Sequence, residues 1–335
     1  MKTNKLKNIA IALAAACLFM SACDDGGSSS GGSSVPSFVA VGEDGAIFIS
    51  NNGTTWTDQT QSGGTLLAVT YGNMKYVAVG TSGRILISDD GKTWANKTQA
   101  GANFTDIAYG NSTFVAVGNS GRCSVSGDGE SWSNITSIGG TPTFGEITFA
   151  NNMFLATGYR IVTTEPLLVH DVIYSSTDGE EWTQEFSSEL IDDNFIGSAF
   201  ANDIFIAVTV EGIVYTSDDN GDTWDSGTSI ADCDYNSINN VASGNNRFLA
   251  TGQYITELIN NVVLTSSNGS TWSNIAPTVA GSGAQVLSII DTQDLFVVAG
   301  SHEYIAISDD DGISWDTVHS STEDISLYDV TYGGY

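Results

Sequence analysis

All seven tryptophans of this 335-residue chain close one recurring turn. The turns read SNNGTTW from Ser50, SDDGKTW from Ser88, SGDGESW from Ser126, STDGEEW from Ser176, SDDNGDTW from Ser217, SSNGSTW from Ser266 and SDDDGISW from Ser308. A serine, an Asp or Asn, a glycine and a tryptophan at nearly fixed spacing form a turn with its own chemistry. The short side chains accept hydrogen bonds from turn amides, glycine supplies positive φ, and the indole packs between strands. A period near 40 residues, met seven times, means that one small unit is stacked on copies of itself.

A second seven-fold position lies upstream, at Phe38, Tyr76, Phe114, Phe154, Phe205, Phe248 and Phe296. Each opens a short apolar run such as FVAVG or FLATG. A third segment precedes it, reading AVTYGN from Ala68 and DIAYGN from Asp106. Short apolar runs punctuated by Gly and Asn turns are strands. Each unit therefore holds four: the segment before the aromatic, the aromatic-led strand, the strand entering the Trp turn, and the strand leaving it. Four-stranded units at this period are propeller blades. The first unit, opening at Phe38, lacks its first strand, while the chain ends on a lone one from Asp329. The C-terminal strand then completes the N-terminal blade and removes the open edges. The expected fold is all-β: a seven-bladed propeller over residues 38–335, closed by its two ends.

The two longer turns match the pattern S-x-D-x-G-x-T/S-W, and the chain from about residue 38 resembles the Asp-box (sialidase/BNR-like) propeller superfamily. It is similar within it to photosystem II assembly-factor-like domains. The resemblance implies that the turns serve folding and lie opposite the ligand face. Calcium binding by SDDNGD or SDDDG is the alternative, although these runs lack the ligand spacing and terminal Glu of a calcium loop. A sialidase would carry six blades and an Arg-Ile-Pro motif, and neither is present. The assembly-factor resemblance implies a protein-binding scaffold.

Residues 1–22 form a signal segment, with Lys2, Lys5 and Lys7 before an apolar run from Ile9 to Met20 that is too short to span a bilayer. Met20-Ser21-Ala22-Cys23 resembles a bacterial lipobox, which implies lipid attachment at Cys23. Cleavage near Ala22 by ordinary signal peptidase is the other reading. Residues 23–37, rich in Gly and Ser, read as a flexible tether. The expected location is the bacterial cell envelope, on either membrane. Of four cysteines only Cys123 and Cys233 fall in the propeller, in distant blades, and are expected as free thiols. The net charge is -29, or about -32 once the three signal lysines are gone. So acidic a chain is unsuited to nucleic acid or to docking on anionic lipid through a basic patch.

Function is sought where the repeat is broken. From the strand aromatic to the turn Trp the spacing is 18 or 19 residues in five blades, but 28 in the fourth and 24 in the sixth. The excess falls at Tyr159–Asp171 and Gln253–Asn261, expected as loops, with Tyr159, Tyr254, Tyr304, His170 and His302 in the loops of that face. Repeat scaffolds commonly gain function in such additions. Arg84, Arg122 and Arg160 take corresponding positions in three adjacent blades. They could bind a carboxylate, sulfate or acidic sugar, or pair with acids such as Asp106 and Glu146. The first position of each inner strand forms a ring of Ala68, Asp106, Glu146, Gly197, Asn240, Ser288 and Asp329 near the channel mouth. Its carboxylates could do acid/base work or simply keep strand ends wet. No metal-ligand spacing, phosphate loop or hydrolase motif appears, and no cofactor is expected. The reading is a monomeric, lipid-anchored propeller binding an envelope protein or glycan without catalysis. The alternative is a sialidase-like hydrolase or lyase acting on acidic glycans.

Overall fold

The repeated turn organises each blade through a fixed set of hydrogen bonds. In the second blade Ser88 Oγ donates to Asp90 Oδ1, which accepts the Lys92 and Thr93 N–H groups at 2.8 and 2.9 Å. Trp94 Nε1 donates to the Gly91 carbonyl at 2.8 Å, and the matching indole–glycine bond occurs in all seven blades at 2.7–3.0 Å. Each of those glycines has φ between +69° and +89°, a conformation that costs other residues dearly. Amide bonds hold the Asp90, Asp128 and Asp178 carboxylates below their ordinary pKa, and the hydroxyls of Thr223 and Ser314 lead the same effect at Asp219 and Asp310.

A computed structural model describes residues 38–335 except 102, 136–137, 165–166, 189–193, 226, 231–236, 256–258, 280–283, 293–294 and 334–335. Residues 1–37, with the signal segment, Cys23 and the tether, lie outside the described residues, as does Cys233. The described strands form seven four-stranded antiparallel sheets, each ordered from the channel outward as in the sequence unit. The second blade, for example, runs Leu66–Gly72, Lys75–Gly80, Ile85–Ser88 and Ala95–Asn96. In the second to sixth blades the first two strands meet in tight turns with both central residues at positive φ, as at Asn111/Ser112 and Asn151/Asn152. That is the turn type whose twist suits a hairpin.

The ring closes as expected. Leu327–Tyr332 pairs antiparallel with Phe38–Gly42, with Phe38 opposite Tyr332 and Val41 opposite Asp329. Leu327 and Val330 are buried there among Phe38, Ala40 and Val297. The core otherwise lies between neighbouring blades. Val39, Val41, Ile47 and Ile49 of the first blade pack on Leu66, Val69, Tyr76 and Leu86 of the second. Burial of each such side chain contributes roughly 1.5–3 kcal/mol, so the blades are held by stacking. Cys123 is a free buried thiol, pushed up to about 12 by that burial.

Two breaks in the repeat take a different form from the one expected. The additions in the fourth and sixth blades are continuations of the sheet, not loops. Met153–Thr164 pairs with Leu167–Ser176 out to Thr164 opposite Leu167, and Arg247–Ile255 pairs with Ile259–Ser266. The second strand has six residues in the third blade and twelve in the fourth. At 3.3 Å per residue the fourth-blade ribbon runs about 20 Å further. Tyr304 is likewise no loop residue; it begins the strand Tyr304–Ser308 and is buried.

Candidate functional site

A β-bulge recurs in every inner strand and builds the site. The register with the second strand slips between Leu66 and Ala68, Phe104 and Asp106, Phe144 and Glu146, Phe195 and Gly197, Ile238 and Asn240, and Val286 and Ser288. In the closing strand the slip falls beside Asp329. A bulge re-aims the side chain that follows it. Seven bulges at equivalent positions therefore bring the predicted ring residues together at the channel. Strands alternate in direction, so this end of the inner strands shares a face with the ribbons.

The carboxylates of this ring clamp one blade to the next. Asp106 accepts the Ile147 N–H of the fourth blade at 2.7 Å and its own Ile107 N–H at 2.7 Å. Glu146 accepts the Ser198 N–H of the fifth blade. Asp329, in the first blade, accepts the Val69 N–H of the second at 2.9 Å, the Val330 N–H at 2.8 Å and the Ser288 hydroxyl at 3.0 Å. Burial pushes all three upward: Asp329 to about 6, Asp106 to about 8 with help from the Asp329 charge, and Glu146 well above its ordinary range with help from Asp106 and then Asp329. Near neutral pH the cluster thus retains protons, and as acids these groups can donate as well as accept.

Beside the carboxylates lies a cavity of about 220 Å³, reaching Ser198, Asn240, Ser288 and Ile289 on the side of the fifth to seventh blades. Among the described residues, no cluster of three or more His, Cys, Asp or Glu could hold a metal ion.

The arginines occupy a different place from the carboxylates. Arg84 is 7% exposed, and its guanidinium donates to the carbonyls of Gly64, Gln61 and Ser62, in the connection entering its own blade. Arg122 repeats this with one bond to the Gly101 carbonyl at 3.1 Å, and Arg160 lies against Gly140 at the next junction. Arg84 and Arg122 thus brace the chain segment between two blades, Arg160 leaves a buried Nε without a partner, and Arg84 makes no ion pair with Asp106 or Glu146 among the described residues. Tyr159 and Arg160 sit in the fourth-blade ribbon opposite Asp171 and His170, and His170 Nδ1 lies 3.2 Å from Ser187 Oγ. Tyr254 pairs with Asn260 in the sixth-blade ribbon. His302 sits in the turn before Tyr304, at positive φ, beside Ser301 and 3.9 Å from Asp324.

Sequence reasoning passed over two kinds of residue here. Ser198 stands where other blades place Val69, Ile107, Ile147, Val241, Ile289 and Val330; it is 1% exposed and its hydroxyl has no partner. Thr157, opposite Glu146, and Thr251, opposite Asn240, stand where four other second strands have valine and one has alanine, and their hydroxyls are also unpaired. Superposing the repeats would have flagged them as polar side chains at aliphatic positions.

The fold and channel define a seven-bladed β-propeller with an acidic inner ring. Residues 167–321 match the family described as the DUF6242 beta propeller domain. No curated protein matches the sequence. Among solved structures the chain is similar to YCF48 bound to D1 peptide, at 16% identity and a TM-score of 0.60, over 80% of this chain and 86% of that one. It is also similar to YCF48 from Cyanidioschyzon merolae, at 15% and 0.56 over 75% and 84%. Virginiamycin B lyase from Staphylococcus aureus gives 9% and 0.60 over 86% and 89%. Identities this low speak for the fold alone.

Proposed function

We propose that this chain is an Asp-box propeller of the bacterial cell envelope, a monomer anchored through lipid on Cys23, which binds a protein partner without catalysis. The supporting observation is the fourth-blade ribbon. Ile161 and Val162 are 55% and 42% exposed on it, on the face that holds the channel mouth. Apolar side chains held on a two-stranded arm suit insertion into a partner. The likeness to a propeller solved with a bound peptide favours a protein over a glycan as that partner. Tyr159 and Tyr254 on the ribbons, and His302 in a turn of the seventh blade, would widen the contact. The competing reading, a hydrolase or lyase of acidic glycans, needs guanidinium groups free to bind an acid, and Arg84 is committed to carbonyls.

The test is capture from envelope extracts with the full chain, against a variant in which residues 161–169 become an Asn-Gly turn, which keeps Arg160 opposite His170. Loss of one defined band with the shortened ribbon supports the reading. Equal capture by both forms, or turnover of acidic glycans that Arg122→Ala abolishes, overturns it. Palmitate labelling that persists in Cys23→Ala would overturn the anchor.

A further inference from the structure

The inner strands carry a second repeat position, at the end of the channel opposite the carboxylates. Three residues beyond each ring residue stand Tyr71, Tyr109, Phe149, Phe200, Ser243, Asp291 and Tyr332. The five aromatics each pair with the aromatic that opens the second strand of their own blade, at centroid distances of 4.5–4.7 Å. Their rings also cover the preceding blade. A Cβ on Gly72 would run into the ring of Tyr109, one on Gly110 into that of Phe149, and one on Gly333 would come within 2.8 Å of that of Tyr71. Each ring thus seals one blade junction. The seventh blade, with Asp291, seals its junction differently. There the Arg247 guanidinium of the sixth blade lies 4.7 Å from the Phe296 centroid, as close as the rings elsewhere, and 3.9 Å from Asp291 Oδ2.

At the junction of the fifth and sixth blades the position is Ser243, which is exposed. With Ala201 of the fifth blade it lines a cavity of about 490 Å³, whose wall also includes Phe200, Asp203 and Asn246. Close packing at the other junctions leaves no reason to expect such a space here. From this departure we infer that the slot binds a planar aromatic ring, the phenyl or phenol group of a small molecule or of a tyrosine side chain. The fold itself identifies the occupant, since five junctions hold a Tyr or Phe ring at the equivalent place. Ala201 stands where Gly72 and Gly110 stand, and alanine admits a ring: Ala150 and Phe200 pack into one core a junction earlier. Beneath the slot Phe248 is buried in the same core as Ala201, so an incoming ring would cap apolar surface. Asp203 and Asn246, exposed at the rim, offer acceptors to a phenol hydroxyl. The volume falls within the roughly 300–1,000 Å³ of small-ligand clefts. The slot lies at the opposite end of the channel from the ribbons, and the inference does not depend on partner binding there.

Titration of the full chain with phenol, followed by saturation-transfer NMR, tests it, with cyclohexanol as the control that keeps the hydroxyl on a puckered ring. One saturable site is expected, at least tenfold tighter for phenol. Ser243→Tyr restores the ring that other blades carry, so it should fold as the parent does and abolish phenol binding by filling the slot. Should that variant fail to fold, Ser243→Leu, which covers Ala201 with a smaller side chain, is expected to lose at least tenfold. No saturable binding, equal affinity for phenol and cyclohexanol, or unchanged affinity in the folded Ser243 variants overturns the inference. N-acetyl-tyrosinamide separates the sources: its binding alongside phenol admits a tyrosine side chain, and binding of phenol alone restricts the slot to small free rings. The shortened-ribbon variant should bind phenol unchanged, so this inference and partner capture fail separately.

Discussion

Replacing Glu146 by Gln should flatten the pH dependence of folding stability, because Glu146 is held protonated by the fold. In the unfolded chain all three channel carboxyls ionise near pH 4. In the folded ring Asp329 loses its proton at about 6 and Asp106 at about 8, with Glu146 also well above its ordinary range. An acid whose pKa is raised by folding favours the folded state most below its unfolded pKa, and that advantage disappears as pH climbs through the folded value. Stability should therefore fall between pH 5 and 8. Each carboxyl protonated only in the folded state contributes a slope of about 1.4 kcal/mol per pH unit. Asp106 stays in that condition to about pH 8, and Glu146, raised with it, adds to the slope of the parent. In Glu146→Gln that addition is gone. The trend opposes the turn aspartates, whose lowered pKa values stabilise the fold above pH 4 and withdraw that support as pH falls through them.

Urea unfolding followed by tryptophan fluorescence at pH 5.5, 6.5, 7.5 and 8.5 reads both slopes, since every blade carries one reporting indole. The expected pattern is a midpoint that drops with pH in the parent and drops less steeply in Glu146→Gln. A parent midpoint that is level or rises from pH 5.5 to 8.5 would refute the reasoning, for the carboxyls would then be hydrated or already neutralised. Equal slopes in parent and variant would remove Glu146 from it.

Arg84→Ala should cost about 2 kcal/mol, because it removes a buried side chain and strips the described donors from the Gly64 and Gln61 carbonyls, while Arg122→Ala, losing one exposed bond, should stay within about 0.5 kcal/mol by the same unfolding measurement. Leu327→Ala should cost about 3 kcal/mol through the cavity it opens in the closing blade, and should promote association through the loosened strand edges, visible as oligomers in size-exclusion chromatography. Asp90→Ala should cost about 1 kcal/mol by losing the Lys92 and Thr93 amide bonds, whereas Asp90→Asn should be near neutral in thermal melts, since Asn52 makes the same bonds in the first blade.

The fold was legible because its causes are local and repeated. Trp, Gly and Asp at fixed spacing specify a turn whatever surrounds them, and seven copies with one divided unit leave a single closed arrangement. The ring of Asp106, Glu146 and Asp329 was legible for the same reason, as one repeat position. What the additions become was not legible. Tyr159–Asp171 carries Pro166 and several polar residues, which read as a loop, yet Ile161, Val169 and their neighbours continue the pairing because the hairpin below already fixes the register. The fate of Arg84 was hidden as well. Its partners are backbone carbonyls around Gly63 and Gly64, and a sequence displays no carbonyls. The bulges leave no residue-type signature either, since the extra residue is Leu67 in one blade and Gly145 in another.

Departures from the repeat at the channel depend on one another. Glu146 reaches the Ser198 amide across the fourth–fifth junction only because position 197 is glycine: a Cβ there would stand 2.6 Å from Glu146 Oε2 and 2.9 Å from Val241. Gly197 brings no side chain of its own to the ring, so the Val241 side of the mouth stays open as part of the cavity. Ser198, where six blades have a branched aliphatic side chain, leaves a buried hydroxyl without a partner. A longer carboxylate at 146, no side chain at 197 and a polar one at 198 each weaken the blade packing taken singly. Together they produce one acidic recess at one junction, while the turns and inter-blade cores of the other junctions hold the ring closed. Stacked repeats permit this, because each blade interface contributes its own share of stability and one can be altered without opening the rest.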